Sequence, residues 1–373
     1  MKKLALVALA GLPLVALATP AHAERPGDKI PNSFICVFDG SVSRGNAQAE
    51  ANRSAQAAGA QVKHVYSVAL RGFAVNAAPQ AVENMQRNNP HIAYCEQDQV
   101  VTAGQFHGMA GKPGGGGTVQ PAQETPWGIA RVGGGGAGTF GTAWVIDTGL
   151  DFTHPDINAD TARSKSFLDR DPSPVDQNGH GTHVAGTIAA YDNGIGVIGV
   201  APGAKVVAVR VLDRRGSGSN SGVIAGVDYV AQNGRPGDVA NMSLGGGVSQ
   251  ALDNAVVAAA SGGVKFALAS GNESDNANNH SPGRANGTNV YTVSAFSVGD
   301  KWASFANYGN PPVDFSEPGV SIKSTWLGGG YNTISGTSMA TPHLAGLLLA
   351  GAVRSGGTVS GDPDGNPDTI GVH

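Results

Sequence analysis

Thr333-Ile334-Ser335-Gly336-Thr337-Ser338-Met339-Ala340-Thr341-Pro342-His343 is the stretch around which this chain is organised. It opens a helix, because Ala340, Leu344, Ala345, Leu347, Leu348 and Leu349 follow with apolar spacing. A serine at a helix N-terminus sits among unpaired backbone N–H groups and at the positive end of the helix dipole. That position suits a nucleophile whose attack creates an oxyanion. It equally suits a plain N-cap, the commonest use of Ser and Thr there. Read alone, the stretch leaves both open.

Upstream of it, from residue 122 onward, short apolar segments alternate with helical ones. Residues 142–147, 205–212, 238–244, 264–270 and 290–295 read as strands. Residues 181–191, 221–232 and 250–260 read as helices. Apolar strands alternating with helices predict an α/β fold with a parallel sheet covered on both faces. In such sheets, sites gather at the carboxyl ends of the strands.

Two further motifs fall where that rule points. Ala143-Trp144-Val145-Ile146-Asp147-Thr148-Gly149 puts an acid at the end of an apolar strand. There it would be buried, at a cost unless hydrogen-bonded, and could orient a histidine; an Asp that merely begins a turn is the plainer alternative. Asn178-Gly179-His180-Gly181-Thr182-His183-Val184-Ala185-Gly186-Thr187 sets His180 between glycines at a helix start. His180 and His183 could share a helix face and bind a metal, but the motif holds no Glu to act as base for a zinc protease. His183 reads as a packed, hydrogen-bonded second histidine.

Taken in order, Asp147-Thr148-Gly149, the His180–Thr187 motif and Gly336-Thr337-Ser338-Met339-Ala340-Thr341-Pro342-His343 resemble the subtilisin-like serine proteases. The resemblance runs from about residue 120 to about 351. It implies a subtilisin-like sheet flanked by helices, and a triad of Ser338, His180 and Asp147 acting as nucleophile, general base and orienting acid. It makes Asn272, in Ala269-Ser270-Gly271-Asn272-Glu273, an oxyanion donor beside the Ser338 N–H. Gly216-Ser217-Gly218 resembles the edge strand that pairs with substrate, and Ser243-Leu244-Gly245-Gly246 the wall of the primary pocket. An extended peptide would bind there by strand addition, with an apolar or aromatic residue expected before the cut.

The same resemblance implies a structural calcium ion, not needed for the chemistry. Side-chain oxygens would come from Gln123, Asp156 and Asn193, and backbone carbonyls from Tyr191, Ile195 and Val197, an all-oxygen set of the kind calcium takes. A second, weaker site near Asp314 has only thin support in the sequence.

The N-terminal part reads differently. Met1-Lys2-Lys3, an apolar run to Ala18 and Ala21-His22-Ala23 form a secretory signal over residues 1–23. Residues 30–101 have the order strand-helix-strand-strand-helix-strand, which predicts a small ferredoxin-like α+β unit. Its pieces Ile30-Pro31-Asn32-Ser33-Phe34, His64-Val65-Tyr66-Ser67, Arg71-Gly72-Phe73-Ala74 and Tyr94-Cys95-Glu96-Gln97-Asp98 resemble the inhibitor propeptide of the same family. By that resemblance the unit is a folding chaperone and temporary inhibitor. Residues 102–121 are a glycine-rich linker expected to hold the processing site, away from Pro121, and 122–373 the peptidase domain. Cys36 and Cys95 are the only cysteines; they could pair, but free buried cysteines are the reading favoured here.

With a net charge of −4 there is no basic footprint for nucleic acid, and no segment after the signal is long and apolar enough to span a bilayer. The whole predicts an exported serine endopeptidase, made as a self-inhibited precursor, monomeric, with protein or peptide substrates. The alternative is a non-catalytic binding protein that keeps the fold, against which the complete set Asp147, His180, Asn272 and Ser338 speaks. The tail at 360–368, rich in Asp, Asn, Pro and Gly, reads as a solvated polar turn.

Overall fold

The computed structural model describes residues 25–104 and 120–373. The expected signal at 1–23 and the glycine run at 114–117 lie outside the described residues.

The first unit runs β1 (Lys29–Phe38), α1 (Ala47–Ala57), β2 (Gln61–Tyr66), β3 (Gly72–Asn76), α2 (Pro79–Asn88) and β4 (Ile92–Thr102). Its strands form an antiparallel sheet in the order β4-β1-β3-β2. Register sets Cys36 directly opposite Cys95, and the two are joined as a disulfide. The reading of two free cysteines is therefore corrected: spacing along the chain does not reveal which residues a sheet will place face to face.

The second unit continues with α3 (Trp127–Val132), β5 (Thr142–Asp147), β6 (Lys165–Ser166), α4 (His180–Ala189), β7 (Lys205–Arg210), β8 (Ser217–Ser219), α5 (Asn220–Asn233), β9 (Val239–Met242) and β10 (Gly245–Gly246). Then come α6 (Gln250–Ala260), β11 (Lys265–Ala269), β12 (Val290–Ser297), β13 (Lys301–Trp302), β14 (Val313–Pro318), β15 (Ile322–Trp326), β16 (Gly330–Ile334), α7 (Thr337–Ala350), β17 (Arg354–Thr358) and β18 (Thr369–Val372). In the central sheet β18-β14-β12-β11-β9-β5-β7-β6 run parallel in that order, with β17 added antiparallel to β18 and β13 antiparallel to β12.

Alternation along the strands divides the core in two. Trp144, Ile146, Val207, Phe266 and Leu268 point to the side of α5 and α6, against Val223, Ile224, Leu252 and Val256. Ala143, Val145, Val206, Ala208 and Ala267 point to the side of α4 and α7, against Val184, Ile188, Met339, Leu344 and Leu347. Because α7 is apolar all round, it is buried nearly throughout. The expected parallel, doubly covered sheet is thus observed. Two hairpins were not foreseen: β15 with β16, and β17 with β18. The expected polar turn at 360–368 is the mostly exposed loop between β17 and β18; only its last residue, Asp368, is buried, where it accepts from Asn310 Nδ2 at 2.8 Å and from Ser294 Oγ.

The first unit docks on α5 and α6. Asp98 accepts from the Ser221 N–H (3.0 Å) and hydroxyl (2.6 Å) at the start of α5, and Glu96 accepts from Ser249 Oγ and the Ala251 N–H at the start of α6. Carboxylates at helix N-termini meet both unpaired N–H groups and the positive dipole end. In return Asp228 of α5 accepts the N–H groups of Val68 and Ala69, each at 2.7 Å.

Candidate active site

Asp147 ends β5 at the carboxyl edge of the sheet and is fully buried. Its Oδ1 accepts from the Thr148 N–H at 2.7 Å and lies 2.7 Å from His180 Nδ1. His180 is fully buried too, so the two face one another out of water, where a charge-assisted bond is strongest. Gly181 permits the approach: a Cβ there would overlap Gly149 O.

Asp176 holds the start of α4 in place. Its Oδ1 accepts from the Asn178 and Gly179 N–H groups at 2.8 and 2.9 Å and from Thr148 Oγ1 at 2.9 Å; Oδ2 accepts from the Thr182 N–H (3.0 Å) and hydroxyl (2.7 Å). One carboxylate thereby ties the Asp147 turn to the His180 helix. The sequence reading missed it; an Asp a few residues before a Gly-His helix start is a capping signal that could have found it.

Ser338 is the second residue of α7 and only 3% exposed. Its Oγ lies 3.2 Å from both Ser243 O and Ala103 O. Asn272 is locked by its amide oxygen, which accepts from the Thr337 N–H at 2.8 Å and from Thr337 Oγ1 at 3.0 Å. A Cβ built on Gly104 would stand 2.9 Å from Asn272 Nδ2, so the donor end faces the same backbone as Ser338.

That backbone is the chain's own. The last residues of β4 lie as an antiparallel strand between β8 and β10: Val101 and Thr102 pair with Gly218 and Ser217 on one side and with Gly246 and Gly245 on the other. The Ala103 N–H donates to Gly216 O at 2.9 Å. The expected edge and wall residues therefore surround one extended segment, while the Leu244 side chain is in the core.

Gln123, Asp156 and Asn193 also converge. Gln123 Oε1 accepts from the Asn193 and Gly194 N–H groups, both at 2.8 Å. Asn193 Nδ2 donates to Asp156 Oδ1 at 3.1 Å, and Asp156 Oδ2 accepts from the Val197 N–H (3.3 Å) and Tyr331 hydroxyl (3.2 Å). The Asp156 carboxyl is buried with neutral donors only, and burial raises its pKa to about 6. These side chains lie against the loop that carries Tyr191, Ile195 and Val197, where the Asn193 amide turns its nitrogen to Asp156 and its oxygen to the Ile195 N–H at 3.1 Å. Asp314 accepts from the Thr292 N–H at 2.9 Å. Among the described residues no group of three or more His, Cys, Asp or Glu could hold a metal. His183 Nε2 bonds Ile322 O at 3.0 Å, away from any partnership with His180 in a zinc site, and burial lowers its pKa to about 3.

Residues 144–351 match the model of the subtilase family. The chain is 40% identical over 330 residues to the subtilisin-like serine protease AsES of Sarocladium strictum, covering 83% of this chain and 81% of that protein. It is 43% identical over 314 residues to an extracellular serine proteinase of a Thermus species, covering 80% and 70%. Against the alkaline serine exoprotease A of Vibrio alginolyticus it is 43% identical over 300 residues, 77% of this chain but 52% of that one, so it spans about half of that relative. The crystal structure of a cold adapted subtilisin-like serine proteinase superposes with a TM-score of 0.56 at 43% identity, covering 65% of this chain and 96% of the other.

Proposed function

The chain belongs to the subtilase family of subtilisin-like serine proteases, and we propose that it hydrolyses peptide bonds through an acyl-enzyme formed on Ser338. Ser338 Oγ attacks the peptide carbonyl. His180 takes the hydroxyl proton and returns it to the leaving amine, and Asp147 holds the imidazole tautomer and stabilises its charged form. Asn272 Nδ2 and the Ser338 N–H receive the oxyanion. Protein or peptide substrate lies as a strand between Ser217–Gly218 and Gly245–Gly246, with an apolar residue before the cut.

The observation that carries this reading is the segment 100–104, held on both edges by those strands with its backbone against Ser338 and Asn272. On the same observation, residues 30–101 are a propeptide whose tail blocks the groove until it is cut, and 122–373 are the mature peptidase. Residues 1–23 direct export, in keeping with an extracellular relative, and the enzyme acts as a monomer outside the cell. Gln123, Asp156 and Asn193, with the carbonyls of Tyr191, Ile195 and Val197, hold a calcium ion that ties the start of the mature chain to the loop 191–197; calcium supplies stability, not chemistry.

The test is labelling with a fluorophosphonate and turnover of casein by the purified mature domain. Label on Ser338 with casein cleavage is expected, and Ser338→Ala should accumulate uncleaved precursor. A wild-type domain that binds peptide but turns nothing over would favour the binding-protein reading. For calcium, chelation should lower the thermal midpoint of the parent but not that of Asp156→Asn.

A further inference from the structure

Asn307 comes from the loop between β13 and β14. It is fully buried, and its hydrogen bonds bracket Asn272 on both sides. Before Asn272, Asn307 Nδ2 donates to Ser270 O at 3.0 Å, the Asn307 N–H donates to Gly271 O at 3.0 Å, and Ser270 Oγ donates to Asn307 O at 3.1 Å. After it, Asn307 Oδ1 accepts from the Glu273 and Asp275 N–H groups, both at 3.0 Å, and Nδ2 also donates to Glu273 Oε2 at 2.6 Å. Gly271, at φ +110°, must lack a side chain because a Cβ would overlap Asn307 Nδ2. The side-chain oxygen of Asn272 is fixed by Thr337.

We propose that Asn307 is a positioning residue for the oxyanion donor: it sets the backbone from which Asn272 reaches, while Thr337 sets the rotation of the amide. A donor that stabilises a transition state must stand where the charge will develop, and a misplacement of about 1 Å costs on the order of 10²-fold in rate. The bracket of bonds on residues 270, 271, 273 and 275 supplies that placement before substrate arrives. The inference rests on the reading of Asn272 as the oxyanion donor.

The experiment is a double-mutant cycle on the mature enzyme with a chromogenic peptide anilide, normalised to fluorophosphonate titre. Asn307→Ala should lower kcat by about 10–100-fold with KM within about twofold. In an Asn272→Ala background the same change should cost less than about threefold more, because it acts through a group no longer there. A full, additive loss in that background, or a rise in KM with kcat kept, overturns the proposal. Should Asn307→Ala fail to fold, Asn307→Ser, which keeps an oxygen near the Glu273 and Asp275 amides, goes through the same cycle with the same criteria. If Asn272→Ala alone leaves kcat unchanged, the oxyanion assignment falls and takes this inference with it; if Asn272→Ala is crippled and Asn307→Ala is neutral, only this inference falls.

Discussion

Ser243 Oγ donates to the backbone carbonyl of Ser338 at 2.8 Å, and the reason that carbonyl is open lies one helical turn away. Residue 342 would normally donate its N–H to residue 338 within α7, but it is proline and has none. The orphaned carbonyl belongs to the proposed nucleophile, a buried residue. A hydroxyl from the pocket wall satisfies it, and is itself held by Asn241 Nδ2 at 2.9 Å.

Removing that hydroxyl should therefore disturb the serine and not only the pocket. Leaving a buried carbonyl unpaired costs about 1–3 kcal/mol, so Ser243→Ala is expected to lower both the thermal midpoint and kcat. Pro342→Ala restores an N–H within reach of Ser338 O. In the Ser243→Ala background it should recover part of the lost stability. A further loss in the double variant would show that Pro342 is kept for the path of the helix instead.

The first self-cleavage is expected at a peptide bond flanking Gly104. Ala103 is pinned by Gly216, its carbonyl lies 3.2 Å from Ser338 Oγ, and Gly104 faces Asn272. Sequencing the N-terminus of the earliest cleaved product should give a start at Gly104 or Gln105. A first product that begins at Gly114 or beyond would mean that the segment in the groove is not the one cut.

The sheet, its two covered faces and the three motif-bearing turns were legible because each has a local signature: a run of apolar residues, a helix period, a Gly-flanked His. What stayed hidden depends on distant stretches meeting. Asp176, Asn307 and the hydroxyl role of Ser243 serve the site by bonding to backbone from other segments, and no spacing announces that. The tail of β4 looked like the start of a linker because its pairing strands, Ser217–Ser219 and Gly245–Gly246, lie in another unit. Cys36 and Cys95 became partners through sheet register alone.

That disulfide should decide how well the first unit stands alone. It closes a loop of 59 residues, and chain entropy puts the stabilisation from a loop of that length at about 4 kcal/mol. The unit is small and has a modest core of its own around Phe38, Phe73, Val75, Val82 and Met85, so a difference of that size matters. Reduction, or Cys36→Ser with Cys95→Ser, is expected to lower the first unfolding transition of a Ser338→Ala precursor. An unchanged first transition would show that docking on α5 and α6, and not the bond, keeps the unit folded.

Burial of Glu317 is expected to make the peptidase unit lose stability as pH rises above the ordinary carboxylate range. It is wholly buried in β14, beside β18, which pairs through Ile370 with Ser316. Burial drives its pKa well above the carboxylate range, and the Gly371 amide and the Arg131 guanidinium offset this only in part. Arg131 is already engaged by Asp300 at 2.8 and 2.9 Å. The sign follows from proton counting. Above the unfolded pKa the unfolded chain has released this proton and the folded one has kept it. Stability is therefore full at low pH and falls as pH rises, by at most about 1.4 kcal/mol per pH unit, until the folded group ionises. Glutamine keeps the shape and cannot titrate. In a Ser338→Ala background, which prevents self-digestion, Glu317→Gln should match its parent near pH 4.5 and become the more stable protein at pH 8. Urea unfolding at the two pH values measures the gap; a gap that does not widen would mean that Glu317 reaches water, and that the strand 369–372 does not seal it in.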